Sequence, residues 1–476
     1  MTSIAWRRSA HRSGVALTTA LVTCALASGS TGGAALAAST PDAQAAPAAR
    51  VSLLGGSWGG KQAGAEALIG TKENQPDKDP GSLYTLSKAI GARKLWKHTD
   101  PAGRPLTGAG ITVALLDSGV SAVAGLDAPG KLVRGPDLSE GTPGAGDVDE
   151  FGHGTFMAGL IAAKDSSSNK DGRGVPVDAA APQVQQGLAP DAQLLSLKLA
   201  SADGTTSVDA VIAGLAWTTA HRDDDGMHVR VVNLSFGAQA LQPYQRDPLA
   251  AAVEAAWRAG IVVVASVGND GAGAASVPDP ALDPFVLAVG ASDPLGKVTG
   301  WDKPLLADFS ERTTSARHAD LAAPGTSVVS LRAPGSTIDS DNPQGLVSGD
   351  PAKRLFRGSG TSQAAAVVSG AAALLLQARP DLTPDQVKAA LVGTASPMRS
   401  AGPDAGAGQV NLEAALKAIE DMDKHDGLGL RSAMQTFEPS TGLDGTDLGE
   451  LSGSWDGARW DGARWNGARW NGGDWS

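Results

Sequence analysis

Cysteine is almost absent: the 476 residues hold one, Cys24. It falls in a segment expected to be removed, so the mature chain would carry no disulfide and must draw its stability from a core. Aromatic residues make up only 4%, against 61 glycines, a balance that suits an α/β enzyme with many tight turns better than an aromatic-rich sandwich. Positive charge is also short. Lys and Arg number 39 against 50 Asp and Glu, a net −11, and no long basic run offsets it. Nucleic acid is therefore not an expected partner. Past the amino terminus, the longest apolar stretch, Ala364–Leu376, is interrupted by Ser369 and Gly370 and is too short to span a bilayer. What is present is 42% apolar residues in a long chain. That excludes intrinsic disorder and provides for one large domain or two moderate ones.

The chain opens with Arg7, Arg8 and Arg12, an apolar run from Val15 to Leu26, and small residues ending at Ala35-Leu36-Ala37. This is the layout of a secretory signal peptide, with cleavage expected after Ala37 and Ala43-Gln44-Ala45 as a second candidate. Residues 1–37 are read as that signal and 38–84 as a short amino-terminal segment. The body is expected at 85–420, followed by a polar linker at 421–454. The tail, 455–476, repeats Trp-Asp/Asn-Gly-Ala-Arg. Asp-Gly and Asn-Gly favour tight turns, so each pentad presents an indole beside a guanidinium, a face suited to glycans or a cell envelope. The alternative is a solvated tail, since a period of five fits neither helix nor strand. A secreted monomer is the expectation, with the solvated tail as the leading reading of these repeats and envelope contact through them as the other.

Between 85 and 420 short β-branched runs alternate with Ala-rich helical runs, the pattern of a parallel sheet covered on both faces. Ile111–Leu116, Leu194–Leu199, Val229–Leu234, Ile261–Ser266 and Phe285–Val289 read as buried strands. Gly154–Ala163, Val208–Ala220, Leu249–Ala259, Ser362–Ala378 and Pro384–Val392 read as helices, the last with Thr383 as N-cap. The fold class is a doubly wound, mostly parallel α/β sheet, in which chemistry gathers where strands end and helices begin.

Four residues stand at such junctions. Asp117 follows the strand Ile111–Leu116, placed either to orient another group or to serve as a turn residue. His153 lies between Gly152 and Gly154 at a helix start, where its ring can project into a cleft. Ser362, in Gly358-Ser-Gly-Thr-Ser-Gln363, begins a long apolar helix whose free N–H groups and dipole would stabilise an alkoxide or oxyanion there, unless the serine only caps the helix. Asn269 ends the strand Ile261–Ser266 and either donates an N–H to a developing oxyanion or belongs to an Asn-Asp-Gly turn.

Taken together, the order Asp117, His153, Asn269, Ser362 resembles the subtilisin-like serine proteases (subtilases). Gly187-Leu-Ala-Pro190, Asn233-Leu-Ser-Phe-Gly237, Asp320-Leu-Ala-Ala-Pro-Gly325 and Gly406-Ala-Gly-Gln-Val-Asn411 extend the likeness over about 85–420. The resemblance implies a serine endopeptidase with Ser362 as nucleophile, His153 as base, Asp117 orienting the ring, and Asn269 with the Ser362 N–H as oxyanion hole. It also implies a protein or peptide substrate, paired as an added strand with Ser235, Phe236 and Gly237.

The chain departs from the family pattern at Phe156, where a second histidine is common, and at Gln363, Ala366 and Val367, where Met, Pro and His are usual. The chemistry implied needs no cofactor. Many subtilases bind calcium, and the acidic stretch Asp137 to Glu150 suits that ion chemically but matches no recognised calcium loop, so it is read as solvated charge and no metal ligand is named. Two other readings stand beside the protease: a catalytically silent envelope-binding protein of the same fold, and a processing or ligating peptidase, suggested by Ala366 and by the insertions Lys164–Gln186 and Gly335–Lys353.

Overall fold

Strands that are apolar at every position, like Ile111–Leu116 and Ile261–Ser266, need cover on both faces, and the computed structural model provides it. It describes residues 75–422 apart from 141–147, 166–184, 240–242, 316, 349, 351, 400 and 401. The chain divides into two compact units, Met1–Lys61 and Gln62–Ser476, and every described residue belongs to the second. The expected signal peptide, nearly all of the linker and the Trp/Arg repeats lie outside the described residues.

The strands are β1 (Thr112–Asp117), β2 (Leu132–Asp137), β3 (Gln193–Lys198), β4 (Val229–Leu234), β5 (Val262–Ser266), β6 (Ala272–Ala274), β7 (Leu287–Asp293), β8 (Leu305–Leu306), β9 (Arg312–Thr313), β10 (Leu321–Pro324), β11 (Val328–Leu331) and β12 (Leu355–Gly358). The main sheet runs β10-β7-β5-β4-β1-β3-β2 with all neighbours parallel, and β8 adds antiparallel to β7. Two small sheets, β6–β9 and β11–β12, lie apart. From β1 the chain passes to the edge strand β2, fills the gap with β3, and then crosses β1 to build outward from β4 on the other side. The order therefore reverses beside β1, and a doubly wound sheet opens its crevice at such a point.

The helices are α1 (Leu83–Ala89), α2 (Ala92–Leu95), α3 (His153–Ala162), α4 (Val208–Ala220), α5 (Pro248–Arg258), α6 (Thr337–Asp341), α7 (Thr361–Ala378), α8 (Pro384–Gly393) and α9 (Leu412–Asp421). Two separate sets cover the sheet, α3 packed with α7 and α4 with α5. α7 crosses β4, β5, β7 and β10 and is 94% buried inside the protein. Its Ala-rich sequence permits that depth, because small side chains let the helix and its neighbours approach closely: a Cβ added at Gly370 would stand 2.6 Å from Leu188 Cβ. At α8, Thr383 and Gln386 form a reciprocal capping box.

All five expected strands and all five expected helices are present, with ends shifted by a few residues. The body begins before residue 85: Asp79 pairs with Arg357, Trp301 Nε1 donates to Pro80 O at 2.8 Å, and Ser82 caps α1.

Candidate active site

Asp117 is the last residue of β1 and is fully buried. His153 opens α3, and its N-cap Gly152 takes φ 103°, a left-handed turn that a side chain would strain. The ring's Nδ1 lies 2.8 Å from Asp117 Oδ1 and 2.9 Å from Oδ2. A carboxylate facing Nδ1 requires the proton there, which leaves the Nε2 lone pair to act as a base. Gly154 is needed for this fit, since a Cβ at that position would meet Gly119 O at 2.0 Å and Asp117 Oδ1 at 3.2 Å.

A second carboxylate braces the pair. Asp149 is 2% exposed and accepts the N–H of Gly152 at 2.6 Å, the N–H of Thr155 at 2.7 Å and the Ser118 hydroxyl at 2.8 Å. Ser118 Oγ in turn lies 3.2 Å from Asp117 Oδ1 and accepts the Gly154 N–H at 3.0 Å. The turn into α3 is thus fastened to the end of β1 from both sides. Burial pushes the Asp149 carboxyl up to about 6, against the pull of its donors.

The nucleophile candidate is anchored one strand away. Asn233 receives the Ser369 hydroxyl at 2.9 Å and donates to Ser235 Oγ at 2.9 Å, and Ser235 Oγ donates to Ser362 O at 3.2 Å. This chain of bonds fixes α7 along β4. Leu115 of β1 pairs with Asn233 of β4, and Asp117 and Ser235 each lie two residues further along these neighbouring segments. His153 hangs from the first and Ser362 from the second. Gly360 is the N-cap of α7 and makes no side-chain capping bond. The Ser362 hydroxyl is not spent on capping either; it points to Ser235 O at 3.4 Å.

Asn269 follows β5, the next strand. Its Oδ1 accepts the Thr361 N–H at 2.8 Å and lies 3.1 Å from Thr361 Oγ1. A backbone N–H only donates, so the amide orientation is fixed and Nδ2 faces the other way. That Nδ2 is buried and has no hydrogen-bond partner among the described residues. An oriented, unsatisfied donor beside the amino terminus of α7 suits an oxygen that becomes anionic.

Of the three residues expected along the substrate, Ser235 and Phe236 are fully buried, with the Ser235 side chain inside the α7 network, and Gly237 is half-buried. An added strand would therefore meet backbone at this stretch. Phe156 lies in the core, and its carbonyl accepts the Ser330 hydroxyl at 2.7 Å. Gln363, next to Ser362, is fully buried, and neither end of its amide is hydrogen-bonded among the described residues.

The acidic stretch is not uniformly solvated, as the sequence reading had it. Asp149 is the buried brace above, and Glu150 receives Lys198 Nζ at 2.8 Å, while Glu140 is exposed. Among the described residues no three His, Cys, Asp or Glu side chains converge so as to hold a metal ion. The insertion at 335–353 packs on the approach to His153: Thr337 N–H donates to Glu150 O and Ile338 N–H to Phe151 O.

A half-buried arginine and a buried lysine tie down the loop between β6 and β7. The Arg317 guanidinium donates to Ala281 O at 3.1 Å, Asp283 O at 3.2 Å and Asp320 Oδ1 at 2.8 Å. Lys388 Nζ donates to Pro284 O and Val286 O, both at 2.7 Å, and lies 2.9 Å from Asp320 Oδ2. Burial alone would raise the Asp320 carboxyl, but Arg317 and Lys388 outweigh it and hold it below the usual range.

A histidine bound to a carboxylate, with a serine at the start of a helix and an oriented amide in the loop after a neighbouring strand, is the layout of a serine hydrolase at the carboxyl edge of a doubly wound sheet. Comparison with known proteins narrows the class. The subtilase family (Peptidase_S8) matches residues 108–417. The chain is 34% identical to the serine protease AprX of Bacillus subtilis (strain 168) over 338 residues, 70% of this chain and 71% of that protein. It is 35% identical to subtilisin Savinase of Lederbergia lenta over 314 residues, 66% of this chain and 93% of the relative. Among solved structures, fervidolysin from Fervidobacterium pennivorans, a keratinolytic enzyme related to subtilisin, aligns with a TM-score of 0.55 at 27% identity. That match covers 72% of this chain and 47% of fervidolysin, so the chain spans about half of that protein's length. The chain belongs to the subtilase family of serine proteases.

Proposed function

We propose that this protein is a secreted endopeptidase that hydrolyses peptide bonds through an acyl-enzyme, with Asp117, His153 and Ser362 as its triad. Ser362 Oγ attacks the scissile carbonyl carbon while His153 Nε2 takes the hydroxyl proton. Asp117, bonded to Nδ1, holds the tautomer and stabilises the imidazolium that forms. The carbonyl oxygen becomes an oxyanion facing Asn269 Nδ2 and the N–H of Ser362, which as the second residue of α7 has no intrahelical acceptor. His153 then returns the proton to the leaving amine, and the same steps with water in place of the serine release the acid. None of these steps calls on a cofactor; structural calcium is compatible with the reading, without assigned ligands.

The observation that carries the reading is the pair of contacts at the ends of β1 and β4: His153 on Asp117 at 2.8 Å, and Ser362 bonded to Ser235 one strand over. Extended substrate would lie along Ser235-Phe236-Gly237 by backbone pairing, with the enzyme acting as a monomer on protein or peptide chains. Export rests on the signal-like amino terminus, and envelope contact on the Trp/Arg repeats; deletion of 455–476 should release the enzyme from cell envelope. A fluorophosphonate should label the wild-type protein and fail to label Ser362→Ala. A folded wild-type protein that resists the reagent would make this a silent member of its fold.

A further inference from the structure

The site has a side-chain slot whose floor the mechanism does not use. β4 and β5 are neighbours with Leu234 opposite Ala265, and Gly237 and Gly268 each lie three residues past that pair, beyond the ends of the two strands. The oxyanion donor Asn269 is next to Gly268, and Thr361, which orients it, is next to Ser362. A substrate carbonyl held there must send the side chain of its own residue past the two glycines, the walls that lack side chains. Below Gly237, Ala238 and Asp279 exchange two backbone bonds of 2.9 Å, which brings the 278–279 turn under the slot. Below Gly268, an ideal Cβ position lies 3.4 Å from Pro278 Cδ and 2.5 Å from Glu311 Oε2. Pro278 and a carboxylate therefore stand against Gly268 on the side where a Cβ would project, and we read them as the floor of the slot.

Glu311 is 6% exposed and accepts only a long bond, 3.3 Å, from Asp270 N–H. Among the described residues no Lys or Arg forms an ion pair with it; its neighbour Arg312 turns instead to Asp308, at 3.6 Å. Burial without a counter-charge pushes its carboxyl up to about 7. An acid held in that way gains most from a cation delivered into the slot.

We propose that Glu311 makes this protease select a lysine or arginine immediately before the scissile bond. The assignment rests on the endopeptidase reading above. The apolar stem of such a residue passes between Gly237 and Gly268, and its charged end reaches the carboxylate at the floor.

The test is a series of peptide anilides that differ only in the residue before the cleaved bond: Arg, Lys, Leu, Phe and Glu. Arg and Lys should exceed Leu and Phe in kcat/KM by at least tenfold, with Glu the poorest. Glu311→Gln should lower the Arg and Lys values tenfold or more and leave Leu and Phe within about twofold. A residue that only supports the fold would lower all of them together, and that pattern, or a wild-type preference for Leu or Phe, overturns the proposal. A measurement on the wild type alone guards against misfolding of the variant: a peptide ending in argininal should protect Ser362 from the fluorophosphonate at lower concentration than one ending in phenylalaninal. The reverse order overturns the selectivity while leaving the protease intact, whereas absence of labelling overturns the endopeptidase reading itself.

Discussion

Replacing Gly154 by alanine tests whether the seam between β1 and α3 is what places the imidazole. The added methyl would sit 2.0 Å from Gly119 O, where an ordinary carbon–oxygen contact is about 3.3 Å, so the helix start or the end of β1 must retreat by more than about 1 Å. Both sides are tethered. Gly154 N–H is bonded to Ser118 Oγ, and Asp117 Oδ1 lies 3.2 Å from the new methyl. Misplacement of a reacting group by about 1 Å costs about 10²-fold in rate. Alanine is also the better helix former by about 1 kcal/mol, which offsets part of the about 1–3 kcal/mol of overpacking. Activity should thus fall at least 10²-fold while Tm moves by only a few degrees. The assay is kcat/KM on a peptide anilide alongside thermal unfolding in a Ser362→Ala background, with Gly402→Ala as control, because among the described residues nothing stands within 4 Å of a methyl added there and the glycine's φ is −83°. A Gly154→Ala enzyme that folds and keeps its kcat/KM within twofold would refute the reasoning, since the seam would then yield without moving the histidine.

Other perturbations follow from the same contacts. Asn269→Ala should lower kcat by about 10²–10³-fold with little change in KM, a magnitude established for this donor in subtilisin itself; an equal loss in a binding assay with a product peptide would argue against an oxyanion role. Asp149 has a folded-state pKa of about 6, above the ordinary 3.8, so the folded protein holds the proton more tightly than the unfolded chain. Its contribution is full below about pH 4 and is lost as pH rises through 6, by about 3 kcal/mol in total. In the Ser362→Ala background, unfolding free energy should decline across that window relative to Asp149→Asn, and parallel curves would contradict it. Lys388→Met should cost about 3–5 kcal/mol, because it strips the ammonium from Pro284 O and Val286 O and removes one of the two cations paired with Asp320; denaturant unfolding reads it, and a change below 1 kcal/mol would mean water replaces the ammonium freely. Gln363→Met should stabilise by about 1–3 kcal/mol, since it removes a buried amide bonded at neither end, and a loss of stability by calorimetry would show that the amide is satisfied after all.

Much of the site is legible in sequence because strand ends and helix starts leave local marks. Asp117 directly follows an apolar run, His153 stands between glycines, and Ser362 precedes an Ala-rich helix; each mark belongs to one short segment. The bracing is not legible in that way. Asp149 looks like one acid among several, and only the fold shows that Gly152, Thr155 and Ser118 converge on it. Glu311 sits in a short irregular stretch before a two-residue strand, and its place beside Gly268 depends on a pairing made across more than forty residues. The edge strand Leu132–Asp137 carries Arg, Gly and Pro and is only half-buried, so it lacks the pattern that marks the central strands. Local periodicity finds elements that bury a face on their own, while side-chain networks exist only once distant segments meet.

The counter-ions that pin the 281–286 loop are side chains, synthesised with the polypeptide and unable to diffuse away. Dilution, citrate or a chelator in the surroundings cannot withdraw these two charges, so the contacts that Arg317 and Lys388 make with the loop should persist in media stripped of minerals.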